Sequence, residues 1–105
     1  MLELRTYTLA NAEALRQYTQ VFWPRHIDTL RGYGIIVHGV WTDVAFDGFR
    51  VLALVGYRSG DDPARLAESY ASSADFVTDH ADFDVSLIVS TTVRVLEPIP
   101  GSPLQ

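Results

Sequence analysis

Two stretches of this chain, FRVLALVGY (49–57) and LIVSTTVRVL (87–96), are apolar on both faces that an extended backbone presents. Successive residues of a strand point to opposite sides of its sheet, so a sheet built from such segments needs cover on both sides. Helices of the same chain can roof one side. The other side, left bare in water, is an adhesive apolar surface.

The remaining segments supply those helices. Leu2 to Leu9 alternates, with Leu2, Leu4, Thr6 and Thr8 on one face and Glu3, Arg5, Tyr7 and Leu9 on the other, which predicts a first strand. Asn11 suits a helix N-cap, with Glu13 in the first turn. Leu15, Tyr18, Phe22, Ile27 and Leu30 then recur at helical spacing. Pro24 lacks an N–H and must kink that helix or start a second one. Gly32 and Gly34 end it. IIVHGVWT (35–42) predicts a second strand, joined to the third at 49–57 by a connection containing Asp47-Gly48, a hairpin signal. Asp61 or Asp62 followed by Pro63 starts a short helix over 64–71, Ser72-Ser73 interrupts it, and a second short helix covers 74–81. A long last strand spans 85–96, and the Pro-rich segment 98–105 reads as a flexible tail. The order strand, helix, strand, strand, helix, strand is the split βαββαβ unit. The expectation is one α+β domain over 1–97, ferredoxin-like, with four antiparallel strands and helices on one face. A two-fold homodimer is the simplest cover for the other face.

Composition narrows the chemistry. All eight basic residues are arginine, so no lysine can act as a base or form a Schiff base. There is no cysteine, which removes disulfides, thiolate nucleophiles and Cys-ligated metal. The formal charge of −5, with no basic stripe, argues against nucleic acid. No apolar run approaches a membrane span of about 18 residues. MLELRTYTL carries an early Glu3 and does not read as a signal peptide, so a cytoplasmic location is expected.

The segments ELRTYTL, the aromatic-rich helix broken by Pro24, RGYG before the second strand, YRSGDDPARL, SADF and the closing VRVLEP together resemble the NIPSNAP family across most of residues 1–97. ELRTYTL is the sharpest of these. The resemblance implies a dimeric α+β barrel: a homodimer whose two sheets form the barrel, each protomer holding a ligand cavity between sheet and helices. Where many members carry a His and a Trp before the Tyr of the third strand, this chain has Ala53 and Val55 ahead of Tyr57. The Pro-Gly that often follows the first strand is Ala10-Asn11. Wider relatives include cofactor-free oxygenases of aromatic substrates, isomerases and haem-binding enzymes, and fold alone does not choose among them.

Three histidines carry the candidate chemistry. His26 falls on or beside the core stripe of the first helix, either as an acid–base group facing a cavity or as a flanking residue that caps a carbonyl freed by Pro24. His38 interrupts an apolar strand, where a polar group needs a partner or a wet cavity; Trp41 beside it could stack on a flat substrate. His80 in HADFD could pair with Asp84 at helical spacing, whereas a metal site there lacks a converging framework. Glu3, Arg5 and Tyr7 share one strand face. Arg5 could hold an enolate, phenolate or carboxylate oxygen with Tyr7 as donor, or Arg5 could simply pair with Glu3; Arg94 poses the same choice. Tyr18, Phe22 and Tyr57 suit a cavity wall. No nucleotide-binding pattern occurs, and a histidine is the sole hint of haem, so no cofactor is expected.

The leading expectation is a cofactor-independent enzyme on a hydrophobic, oxygen-bearing, polyketide-like metabolite. His26, and after it His38, would move protons to isomerise or cyclise the substrate, with Arg5, Tyr7 and Trp41 orienting it. The alternatives are a cofactor-free monooxygenase of aromatic polyketides, or a non-catalytic binding or assembly dimer.

Overall fold

The computed structural model describes residues 1–105. Strand β1 spans Leu2–Leu9, helix α1 Ala12–Gln17 and helix α2 Trp23–Gly32, with a π-helical turn, Tyr18–Phe22, between the two helices. Strands β2 (Ile36–Thr42) and β3 (Arg50–Gly56) follow, then helices α3 (Pro63–Ala71) and α4 (Ala74–Asp79) and strand β4 (Ile88–Leu96). The strands form one antiparallel sheet in the order β2-β3-β1-β4. This is the expected α+β, ferredoxin-like arrangement. Residues 85–87, expected within the last strand, form a short 3-10 turn capped by Asp84. No helix is long and apolar enough to cross a membrane.

Local chemistry explains the breaks. Asn11 caps α1, its side chain accepting from the Ala14 N–H at 2.8 Å. Pro24 cannot donate to the helical ladder, and the chain answers with one widened turn: the Trp23 N–H reaches back five residues to the Tyr18 carbonyl. That extra residue brings Tyr18, Phe22, Trp23, His26 and Leu30 all to the buried side. Gly34, at φ 76°, closes α2 in the left-handed conformation that glycine adopts without strain. Ser73 sets the α3–α4 corner: its hydroxyl accepts from the Phe76 N–H at 3.2 Å and donates to the Tyr70 carbonyl at 2.6 Å.

The core lies between sheet and helices. Tyr7 and Leu9 of β1 and Val51, Ala53 and Val55 of β3 pack there against Tyr18, Phe22, Trp23, Leu30 and Phe83. Val51 and Val55 are fully buried, each worth roughly 1.5–3 kcal/mol relative to exposure. Ala53 and Val55 thus occupy a sealed part of the core.

The outer sheet face is different. Cross-strand register assigns it Leu4 and Thr6 of β1, Leu52 and Leu54 of β3, and Trp41 of β2. No helix covers it, and Trp41 and Ile36 are exposed. Pro98, Ile99 and Leu104 of the tail border an open hollow of about 350 Å³ together with Leu2, Leu54 and Leu96. Arg94 pairs in register with Leu4 and so stands on the outer side; it does not meet Glu3, which faces the helices.

Candidate active site

Three side chains from two helices meet around one buried carboxylate on a third. His26 and Thr29 sit three residues apart on α2 and so share a face. Tyr70 comes from the end of α3 and Asp79 from the last position of α4. His26 Nδ1 lies 3.1 Å from Asp79 Oδ2, the Tyr70 hydroxyl donates to the same oxygen at 2.7 Å, and the Thr29 hydroxyl donates to Oδ1 at 2.9 Å. Asp79 is only 3% exposed and His26 7%. A carboxylate out of water needs such a set of donors to stay charged. Burial pushes the Asp79 carboxyl up, but the hydrogen bonds from His26, Tyr70 and Thr29 outweigh it and hold it below its ordinary value.

The same network assigns the histidine tautomer. Asp79 only accepts, and Tyr70 spends its proton on Asp79, so Nδ1 of His26 carries the hydrogen. The lone pair is then on Nε2. That atom makes no hydrogen bond within the chain, and it is not sealed in: Trp23 Nε1 is the one sealed polar side-chain atom that lacks a partner. Burial lowers the His26 pKa, while Asp79 pulls it the other way without prevailing. The ring is therefore neutral near pH 7, with a free base at Nε2 and an oriented N–H at Nδ1.

His26 borders a half-open cavity of about 160 Å³, whose wall includes Tyr7, Tyr18, Phe22, Phe76 and Phe83. Phe22 stacks on the imidazole at 4.7 Å between centroids, and Trp23 meets it edge-on at 5.0 Å. A second, smaller cavity of about 70 Å³ is lined by His26 and Tyr70 together with Arg5, Leu30, Ile35 and Tyr57. Arg5 is tied up there. It donates to Glu3 Oε1 from Nε at 3.1 Å and from Nη2 at 2.8 Å, and Nη2 also reaches the Tyr57 hydroxyl at 2.8 Å. Tyr57 in turn donates to Glu3 at 2.7 Å, and burial together with that carboxylate pushes its phenol up to about 12. Burial works against the Arg5 charge, but Tyr7 and Glu3 outweigh it and raise its pKa further.

Of the sequence candidates, His26, Tyr7, Tyr18 and Phe22 come together at the larger cavity, and Arg5 and Tyr57 at the smaller one. His38 and Trp41 do not join them. His38 is the extra residue of a β-bulge between Val37 and Gly39, and its ring packs over Gly56, where an added Cβ would lie 2.6 Å from Nε2. Trp41 lies opposite Leu52 on the outer face, its indole folded over Gly39. His80 does line the larger cavity, but it forms no pair with Asp84: its Nδ1 donates to the Phe76 carbonyl at 2.7 Å, while Asp84 accepts from the Ser86 N–H at 2.9 Å. Asp79, Tyr70 and Thr29 were not legible as site residues. Asp79 and His26 are 53 positions apart, and the one local cue was a carboxylate falling at the end of a short helix.

No family model matches the chain, and no curated protein does. Solved structures do. A NIPSNAP domain protein from Burkholderia xenovorans superposes with a TM-score of 0.80 at 18% identity, covering 97% of each chain. A NIPSNAP family protein of unknown function from Agrobacterium tumefaciens gives 0.82 at 20% identity, over 99% of this chain and 92% of that one. A monooxygenase of antibiotic biosynthesis gives 0.52 at 16% identity, over 95% of this chain and all of that one. Along nearly its whole length, this chain has the fold of the NIPSNAP family proteins.

Proposed function

We propose that this protein is a cofactor-independent acid–base catalyst that isomerises or cyclises a small, hydrophobic, oxygen-bearing molecule, one ring of a polyketide-like compound being of suitable size. The observation that carries this reading is the state of His26: Nδ1 is fixed by Asp79 and Tyr70, and Nε2 is left unpartnered beside an aromatic-walled cavity. In the reaction, Nε2 takes a proton from carbon next to a substrate carbonyl. The C–H electron pair forms a carbon–carbon double bond and charge moves to the carbonyl oxygen. The imidazolium, stabilised by the Asp79 carboxylate, returns its proton at another atom. Nothing is oxidised or reduced, so no co-reactant is needed. One positioned acid–base group of this kind typically contributes about 10²–10⁴-fold.

Cyclohexanone in deuterated buffer tests the reading. The wild-type protein should speed deuterium exchange at the α-carbons, read by proton NMR, and His26→Gln should lose at least about ten-fold of that rate. Equal rates with the two proteins, or no acceleration at all, defeat the proposal. A second reading draws on the likeness to the antibiotic-biosynthesis monooxygenase: the same substrate anion would react with dioxygen. Oxygen uptake during turnover distinguishes it.

A further inference from the structure

We propose that Tyr7 and Tyr18 form an oxygen-anion subsite in the larger cavity, and that its ligand is a flat phenol or enolisable ketone of about single-ring size, held by its oxygen. This rests on the acid–base reading of His26 and adds what holds the charge that His26 creates.

Both tyrosines are buried, Tyr7 at 9% exposure and Tyr18 at 2%. Buried phenol hydroxyls ordinarily find a partner. Neither hydroxyl finds an acceptor within the chain, since the polar neighbours that act on them, Arg5 at Tyr7 and Trp23 at Tyr18, are themselves donors, and neither is among the sealed unpartnered atoms, so both open onto free space. The space they share is the cavity that His26 borders. Their rings meet edge-on at 5.5 Å between centroids. No carboxylate lines this cavity. Apart from the lone pair of His26 Nε2, the acceptor that two O–H donors call for arrives with the ligand.

The donors suit an anion in particular. Burial raises the pKa of both phenols, so they stay protonated and able to donate, while Arg5 pulls back at Tyr7 and Trp23 at Tyr18. Fixed donors in a water-poor site stabilise charge as it develops on an oxygen, at little cost in reorganisation. Size and wall set the rest. An apolar cavity of about 150 Å³ holds benzene, and this one is about 160 Å³ with a mainly aromatic lining. With His26 on the same wall, removal of an α-proton would place the new enolate charge on an oxygen that Tyr7 and Tyr18 already hold.

The probes are 4-nitrophenol, whose anion is seen by its absorbance, and nitrobenzene, a neutral molecule of similar shape. The wild-type protein should bind 4-nitrophenolate more tightly than nitrobenzene and shift the ionisation of the bound phenol to lower pH. Tyr7→Phe and Tyr18→Phe should each reduce the preference for the anion about ten-fold, as expected for a hydrogen bond to a charged group. Nitrobenzene binding should stay unchanged, which shows that the pocket is still formed. The inference is overturned if the wild-type protein binds neither probe, or prefers nitrobenzene, or if both variants keep the full preference for the anion. The wild-type comparison decides without the variants. Should the anion preference hold while His26→Gln exchanges cyclohexanone protons as fast as wild type, the subsite stands and the acid–base reading falls.

Discussion

At the scale of single residues, the site turns on a histidine kept neutral by burial and a carboxylate kept charged by its donors. Both facts set the acid stability of the fold. An unfolded His26 takes up its proton near pH 6.5, whereas the folded one does so only at lower pH. Between those values the unfolded chain binds one proton more, so acidification favours it. The His26 contribution is complete above about pH 6.5 and is lost as pH falls through the folded value. Asp79, held below its ordinary carboxyl value, adds a loss of the same sign at still lower pH. Thermal unfolding followed from pH 8 to pH 4.5 should show a plateau and then a fall in midpoint, and His26→Gln should flatten the upper part of that fall. A wild-type midpoint that holds constant down to pH 5 contradicts the picture. His26 itself was legible in the sequence because helical spacing placed it on the core stripe. Its partners were not, because spacing speaks only within an element, and Asp79 meets His26 through tertiary packing of α4 on α2. Arg5 shows the reverse: parity placed it on the right face with Glu3, but its capture by Tyr57 depends on the end of β3.

At the scale of elements, the π turn is what aims the aromatic side chains. Tyr18 and Phe22 stack at 5.0 Å, and Trp23 and His26 then continue one buried stripe along α2. A regular α-helix advances about 100° per residue, so taking one residue out of the turn rotates α1 by that amount against α2. Gln20 is exposed, and its deletion removes no buried contact of its own. The deletion should nevertheless carry Tyr18 out of its stack with Phe22 and its tilted contact with Phe83, at a cost approaching the roughly 3–5 kcal/mol of a truncated core aromatic. Chemical denaturation should register that loss, and nitrobenzene binding should go with it. Unchanged stability and binding would show that the turn does not set the cavity. The sequence announced a break at Pro24 but not its form, since a kink, a new helix and a π turn all answer a missing N–H. The same holds in β2. A polar residue in an apolar strand marked His38 as unusual, and the bulge that turns it out of the ladder is a pairing property that no single strand displays.

At the scale of the molecule, one inequality remains between the two sides of the sheet. The helices cover the inner side over β1 and β3, leaving Val93 and Val95 of β4 exposed, whereas the outer side presents Leu4, Leu52, Leu54, Ile36 and Trp41 with only the tail beside one end. In β3 this was legible from the sequence, because a strand with apolar residues at both parities admits no one-sided sheet, whereas β4 turns Ser90, Thr92 and Arg94 outward. What the sequence could not show is which side each residue takes, and so His26 and Trp41 were expected together although the sheet divides them. A second copy of the chain packed on the outer face would resolve the inequality by symmetry, since the same apolar patch then covers itself. On this account the protein should sediment at about twice its 11.7 kDa monomer mass. Leu52 is the informative position. It lies between Thr6 and Trp41 on a central strand, on the side away from the core. Leu52→Arg places a charge in the middle of the patch, where pairing two copies would bury two like charges at close range. It should shift the protein to monomer by sedimentation while leaving the far-ultraviolet circular dichroism of the folded chain in place. His26 and its cavity lie on the opposite side, so the monomeric variant should still bind nitrobenzene. Wild-type protein that sediments as a folded monomer at micromolar concentration would mean that the outer face is stable in water without a second copy.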